Sequence, residues 1–133
     1  MRHTGDKEMG REKRMVGAAG EEAASSFLKK NGYKVIASNY RTYLGEIDLV
    51  AMQGGYTVFV EIKTRTSSSL GPPSLSVTRS KQRHIVGAAL IYLKSRGLVD
   101  TDWRIDVVSV NLTRALEVEK IEIIENAVQD NYE

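Results

Sequence analysis

The sequence contains no cysteine in its 133 residues, which excludes disulfides, thiolate metal sites and a cysteine nucleophile. The sequence also lacks a large excess of either charge, because 19 lysines and arginines nearly balance 17 aspartates and glutamates. The net charge of +2 therefore does not by itself indicate a nucleic-acid partner. No run is long and apolar enough to span a bilayer or form a signal peptide, which predicts a cytoplasmic protein without a membrane partner.

Two alternating segments on either side of Gly54-Gly55 dominate the middle of the chain. Alternation of apolar and polar side chains is typical of half-buried strands, and a glycine pair between them predicts a two-residue hairpin turn. Counting back from that turn places Asp48 opposite Glu61 and Glu46 opposite Lys63. Two carboxylates facing each other destabilise a sheet, so a compensating cation is expected at this position.

This grouping is chemically sufficient for metal-assisted hydrolysis of a phosphodiester. Mg²⁺ or Mn²⁺ would be held by Asp48 and Glu61, with the Ile62 carbonyl as a third ligand, because hard cations prefer oxygen ligands. Lys63 could position the attacking water or stabilise the charge of the transition state. Glu21 lies at the edge of the apolar face of a predicted helix, so it could add a carboxylate from above the sheet.

Ordinary structural explanations stand beside this hypothesis. Glu46 and Lys63 could form an exposed cross-strand ion pair, while Asp48 and Glu61 could both face water. A three-residue turn would shift the register and remove the facing arrangement. Glu21 could equally be a surface residue of its helix.

The remaining pattern predicts a single domain. The apolar residues of the first helix recur at helical spacing, and Ser76 or Thr78 can cap a second helix with Ile85 and Tyr92 in its apolar stripe. The predicted elements are a helix over 15–30, strands over 33–41, 45–50 and 58–63, a loop over 64–74, a helix ending near 95–97, and strands over 103–110 and 115–124. This order, αβββαββ, predicts an α/β domain over 11–125 with helices on a mixed sheet of about five strands, a disordered tail over 1–10 and a C-terminal tail over 126–133.

Several motifs follow one another in a recognisable order. They are Gly17-x-x-Gly20-Glu21-x-x-Ala24, Asn39-Tyr40-Arg41, Gly45-Glu46-Ile47-Asp48-Leu49-Val50, Phe59-Val60-Glu61-Ile62-Lys63-Thr64-Arg65, and Lys81-x-x-x-Ile85 with Tyr92-Leu93. Together they resemble the YraN-like family of small bacterial proteins over roughly residues 11–110. That family is similar to Holliday-junction resolvases within the PD-(D/E)xK restriction-endonuclease-like superfamily. One departure is Ile47, where the superfamily often has proline before the aspartate.

The resemblance implies a resolvase-like core and a metal-dependent endonuclease acting on DNA, with branched DNA among its substrates. The implied centre is a helix glutamate, a strand aspartate and Glu-x-Lys, which map to Glu21, Asp48, Glu61 and Lys63. It also suggests a homodimer. Nearby cations that could bind the DNA backbone are Arg65, Arg79, Lys81 and Arg83, of which Lys81 is the favoured phosphate contact. The alternative is a noncatalytic nucleic-acid-binding or adaptor protein that keeps the nuclease scaffold.

Overall fold

A computed structural model describes residues 4–67 and 78–128. The helices and strands follow the predicted order: α1 (Thr4–Lys30), β1 (Lys34–Arg41), β2 (Glu46–Gln53), β3 (Tyr56–Thr66), α2 (Arg79–Ser95), β4 (Trp103–Leu112) and β5 (Val118–Ile124). The predicted α/β class and αβββαββ order are confirmed, and the fold is consistent with a resolvase-like core. Most of the loop predicted over 64–74 lies outside the described residues. Neither helix in the described ranges is long and apolar enough to cross a membrane.

The five strands form one mixed sheet in the order β1-β2-β3-β4-β5. Strands β3 and β4 are parallel, whereas the other three neighbouring pairs are antiparallel. A parallel pair needs a crossover connection, and α2 lies in the segment that joins β3 to β4. The first turn of α2 lies close to β3, because Lys81 of α2 contacts Glu61 of β3.

A hydrophobic core covers each face of the sheet. Alternation along β3 sends Phe59 to the core of α2 and Val58 and Val60 to the opposite core. The α2 core includes Ile47, Val50, Phe59, Ile85, Ala89, Tyr92 and Leu93. The α1 core includes Ala24, Leu28, Leu49, Val58, Val60, Val108 and Val110. The sequence therefore predicted the apolar stripe of α2 correctly.

The hairpin between β2 and β3 has the predicted turn. Gly54 and Gly55 both have positive φ, at 55° and 86°, and Gln53 lies opposite Tyr56. The ladder continues to Leu49 opposite Val60, which confirms the register up to that pair. The predicted pairings of Asp48 with Glu61 and of Glu46 with Lys63 are not part of the described ladder. Glu46 instead lies opposite Arg41 of β1, and the Arg41 Nε and Glu46 Oε1 atoms are 3.6 Å apart.

Both ends of the described part of the chain carry more structure than the sequence predicted. Helix α1 begins at Thr4, so residues 4–10 are helical rather than part of a disordered tail. At the other end, the backbone N–H of Ala127 donates to the Ile105 carbonyl at 2.8 Å, and Val128 is buried. The first residues of the predicted C-terminal tail therefore pack against the sheet.

A polar cluster is buried at the end of the sheet where β4 begins. The Asp106 carboxylate is fully buried and accepts hydrogen bonds from the Tyr33 hydroxyl at 2.9 Å and from Arg104 Nε at 3.0 Å. It also accepts the backbone N–H of Asn126 at 2.9 Å, while Arg104 additionally bonds Gln53. Because each group has a partner, this cluster joins the α1–β1 connection, β2, β4 and the chain after β5 without an uncompensated buried charge.

Candidate functional site

Asp48 lies where β2 and β3 separate. The ladder of paired backbone groups ends at Leu49 and Val60. Just beyond it, the backbone N–H of Ile62 donates a hydrogen bond to the side-chain atom Asp48 Oδ2 at 2.8 Å. In a continuing antiparallel ladder, the Ile62 N–H would donate to a backbone carbonyl of β2. Here it donates to the Asp48 carboxylate. This hydrogen bond fixes a half-buried carboxylate at the fork between the two strands.

The environment of Asp48 disfavours its charge. Burial is the larger cause, and the neighbouring Glu61 carboxylate adds to it, so the pKa of Asp48 is raised to about 6. The Ile62 N–H and the Lys81 ammonium act in the opposite direction. Glu61 itself is buried, on the strand that neighbours Asp48. The structure therefore places the two carboxylates close enough to repel each other.

Lys81 supplies a positive charge to this carboxylate pair. Its Nζ atom is 2.8 Å from Glu61 Oε1, and the side chains are 56% and 5% exposed, respectively. The hydrogen bond to Glu61 is the main reason that the pKa of Lys81 is raised, with further contributions from the Glu61, Asp48 and Glu46 charges. Thr78 caps the helix by accepting the Lys81 backbone N–H at 3.2 Å, which helps to fix where the lysine starts.

Two glycines allow α2 to approach the start of β2. A Cβ atom on Gly45 would lie 3.0 Å from His84 Cβ, and one on Gly87 would lie 2.9 Å from Leu44 Cδ1. Both distances are shorter than ordinary van der Waals contacts, so side chains here would push the helix away. The glycine of the Gly45-Glu46-Ile47-Asp48 motif therefore has a packing role, because it lets α2 come near the carboxylates.

The other predicted cations lie on β3 and α2, the two elements that carry Glu61 and Lys81. Lys63 follows Glu61 by two residues on β3, which directs both side chains to the same face of the sheet, and it is half-buried. Arg65 is half-buried farther along β3, beside Asn111 of β4. Arg79 and Arg83 are exposed on the first two turns of α2, whose first turn contains no acidic residue. Their binding to nucleic acid stays a prediction.

Glu21 is held elsewhere. Its Oε1 atom accepts a hydrogen bond from Asn39 Nδ2 at 3.1 Å, and it lines an open groove of about 720 Å³ between α1 and β1. Asn39 lies between the Ser38–Leu49 and Tyr40–Ile47 pairs, hence opposite Asp48. No set of three or more acidic or histidine side chains within 4–67 and 78–128 is arranged to hold a metal ion. Asp48 and Glu61 come together, and Glu21 does not join them there.

Asn39 has a structural role that its motif alone did not indicate. Its φ is 51°, which is uncommon for a residue other than glycine and is best tolerated by asparagine and aspartate. The signal was present, because asparagine inside an otherwise strand-like segment is unusual. Its side chain connects Glu21 to the strand beside Asp48.

The donor set fits a hard divalent cation of the kind that the resemblance implies. Mg²⁺ commonly takes only one or two protein carboxylates and keeps several waters. Asp48 and Glu61 supply two carboxylates whose mutual repulsion a cation would relieve, and the Ile62 carbonyl belongs to the same strand end. The fit rests on this pair, since Glu21 is engaged by Asn39.

Residues 20–110 match the uncharacterised protein family UPF0102. The chain belongs to this family. A UPF0102 protein of Caldicellulosiruptor saccharolyticus is 43% identical over 115 residues, covering 86% of this chain and 98% of its own. A UPF0102 protein of Symbiobacterium thermophilum is 48% identical over 97 residues, covering 73% of this chain and 82% of its own. One from Moorella thermoacetica is 44% identical over 115 residues, covering 86% and 96%. The predicted YraN-like membership is confirmed, and the UPF0102 match spans all of the predicted site residues.

Proposed function

We propose that this UPF0102 protein is a metal-dependent endonuclease that hydrolyses DNA phosphodiester bonds. The observation that carries the proposal is the carboxylate pair at the β2–β3 fork, where burial and Glu61 raise the pKa of Asp48 to about 6. Folding such a pair costs stability, and perturbed carboxylates of this kind cluster at functional sites. A divalent cation bound between Asp48 and Glu61 would relieve their repulsion, which explains why the protein keeps this destabilising pair.

The chain's own residues divide the work. Asp48, held by the Ile62 N–H, and Glu61 would ligate Mg²⁺ or Mn²⁺, with the Ile62 carbonyl as a third ligand. Such an ion, when bound, neutralises phosphate charge and makes a water more acidic. Lys63, on the same face as Glu61, would orient the attacking water and stabilise the additional negative charge on the phosphate oxygens. Glu21 would join only by exchanging its bond to Asn39.

Basic residues on the two elements that carry Glu61 and Lys81 support DNA as the substrate. Arg79, Lys81 and Arg83 begin α2, and Arg65 continues β3. Cations beside a carboxylate pair offset its repulsion of the phosphate backbone, and they carry no information about base sequence. We therefore propose selection by DNA structure, with branched DNA as the preferred substrate. A homodimer would present two such centres to one branched molecule.

The test is cleavage of end-labelled linear, flapped and four-way-junction DNA with Mg²⁺ or Mn²⁺. We expect nicking by the wild-type protein, and a loss of at least about a hundredfold in Asp48→Ala, Glu61→Ala and Lys63→Ala, because each removes charge stabilisation at the reacting phosphate. EDTA should abolish the reaction.

The matched control is Glu22→Ala, one position away from Glu21 on α1 and exposed. It removes a carboxylate outside the β2–β3 fork, so cleavage should be unchanged. Circular dichroism spectra must show that all variants remain folded. Cleavage that survives in the Asp48, Glu61 and Lys63 variants alike would overturn the assignment.

A second candidate is a noncatalytic nucleic-acid-binding or adaptor protein on the same scaffold. It is favoured by one observation, namely that the described part of the chain holds no group of three acidic or histidine side chains suited to a metal. This candidate predicts DNA retention without hydrolysis under any divalent cation. It also predicts little loss of binding in Asp48→Ala, whereas the same change should abolish nicking by an enzyme.

A further inference from the structure

The Lys81–Glu61 ion pair joins an exposed helix start to a buried carboxylate. Glu61 is nearly inaccessible, with 5% of its side chain exposed, whereas more than half of the Lys81 side chain is exposed. By contrast, both partners of the Lys120–Glu122 pair are substantially exposed, and both partners of Arg104–Asp106 are largely buried. Lys81 therefore extends from the surface to neutralise charge inside the fork.

Three carboxylates act on this ammonium. Glu61 contributes a hydrogen bond and charge, and Asp48 and Glu46 contribute charge. The same carboxylates disfavour one another, since Glu61 and Glu46 both raise the pKa of Asp48 while Lys81 lowers it. Lys81 is thus a counter-ion of the carboxylate pair in the protein as it stands.

We propose that the Lys81 ammonium and the divalent cation compete for the Glu61 carboxylate. Binding of the cation then releases the Lys81 ammonium, which binds a substrate phosphate. This inference rests on the proposed metal centre. A divalent ion and an ammonium repel each other when they share one desolvated carboxylate, so each weakens the binding of the other. Lysine suits the exchange, because its charge is carried on a flexible four-carbon stem.

The arrangement couples two binding events. A cation on Glu61 makes Lys81 available to phosphate, and a phosphate on Lys81 makes Glu61 available to the cation. Such coupling is reciprocal by thermodynamic necessity, so metal and DNA should each increase the affinity for the other. Without substrate, Lys81 would neutralise the charge of Glu61. The metal ion and the free Lys81 ammonium would be available together only when both metal and DNA are bound.

The test measures Mn²⁺ binding by isothermal titration calorimetry without DNA. Lys81→Gln should bind Mn²⁺ roughly tenfold more tightly than the wild type, because it removes a charge-assisted hydrogen bond that the metal must break. Lys81→Arg keeps the positive charge and should stay near wild-type affinity. Lys94→Gln, which removes an exposed lysine from the last turn of the same helix, should change affinity by less than about twofold, as expected for a distant screened charge.

Glu61→Gln separates the two proposals. If Glu61→Gln loses Mn²⁺ binding and Lys81→Gln binds Mn²⁺ more tightly than the wild type, the metal centre and the exchange at Lys81 are both supported. If Glu61→Gln loses binding while Lys81→Gln binds as the wild type does or more weakly, the exchange is overturned and the metal centre remains. Absence of Mn²⁺ binding in every variant, including Lys81→Gln, would overturn both. A rise in melting temperature with Mn²⁺, larger for Lys81→Gln than for the wild type, provides an independent reading of the same affinities.

Discussion

Replacing Asp48 with asparagine should stabilise the metal-free protein at neutral pH, although it removes a proposed ligand. Asparagine keeps the shape and can still accept the Ile62 N–H through its amide oxygen. It removes the charge that burial and Glu61 disfavour. Sites built for function often sacrifice stability in this way, so a stabilising substitution at a proposed ligand is itself informative.

The magnitude follows from the pKa of Asp48, which is 3.8 in an exposed aspartate and about 6 in the folded protein. A shift of this size corresponds to an upper bound of about 3 kcal/mol in the free energy of unfolding. An amide is a weaker acceptor than a carboxylate and Asp48 is partly solvated, so we expect a gain of about 1–2 kcal/mol.

The pH dependence has a defined sign. Because the folded pKa lies above the unfolded value, folded wild-type protein binds the proton more tightly, and its unfolding free energy rises as the pH falls from above 6 toward 3.8. The advantage of Asp48→Asn should therefore be largest above about pH 7, fall by about half near pH 5, and vanish below about pH 4.

Urea denaturation followed by circular dichroism, in EDTA and at several pH values, measures these differences. Glu22→Gln is the control, because this exposed carboxylate should change stability by less than about 0.5 kcal/mol. A variant that is less stable than the wild type at neutral pH, or an advantage that does not depend on pH, would refute the reasoning about Asp48.

Two further predictions concern the framework around the site. In Gly20→Ala the new methyl group would meet the Thr64 side chain, 2.6 Å from Cγ2, and push α1 from β3; thermal denaturation should show a loss of about 1–3 kcal/mol, largely recovered in Gly20→Ala/Thr64→Ala. A more stable Gly20→Ala protein would contradict this packing. Asp106→Asn leaves the Arg104 guanidinium without its buried carboxylate and should cost about 3–5 kcal/mol in urea denaturation. A loss below about 1 kcal/mol would show that the cluster contributes little to stability.

Local patterns predicted the hairpin well. Alternating side chains identified β2 and β3, and the need for positive φ at Gly54 and Gly55 determined which residues pair across the turn. The register is confirmed as far as Leu49 and Val60, and Asp48 and Glu61 are the next residues along the two strands. The predicted pairing does not continue to them, because the Asp48 side chain takes the Ile62 N–H and ends the ladder, a competition that alternation does not reveal.

Long-range contacts were harder to predict. The sequence favoured Lys81 as a phosphate contact, which stays a prediction. Its ion pair with Glu61 could not be predicted, because it depends on how closely α2 approaches β2, which Gly45 and Gly87 determine. The early start of α1 was missed because glycines in its first half lower helix propensity. Glu21 was placed correctly at the edge of the helix face, yet a helical wheel could not show that Asn39 would bind it.

The central claim is that Asp48 and Glu61 form a divalent-metal centre, and anomalous X-ray diffraction from a crystal soaked in Mn²⁺ tests it most directly. We predict an anomalous peak between the two carboxylates, within ligand distance of both, together with movement of the Lys81 ammonium away from Glu61. Well-ordered Asp48 and Glu61 side chains with no anomalous peak between them, at Mn²⁺ concentrations of about 10 mM or more, would contradict the account.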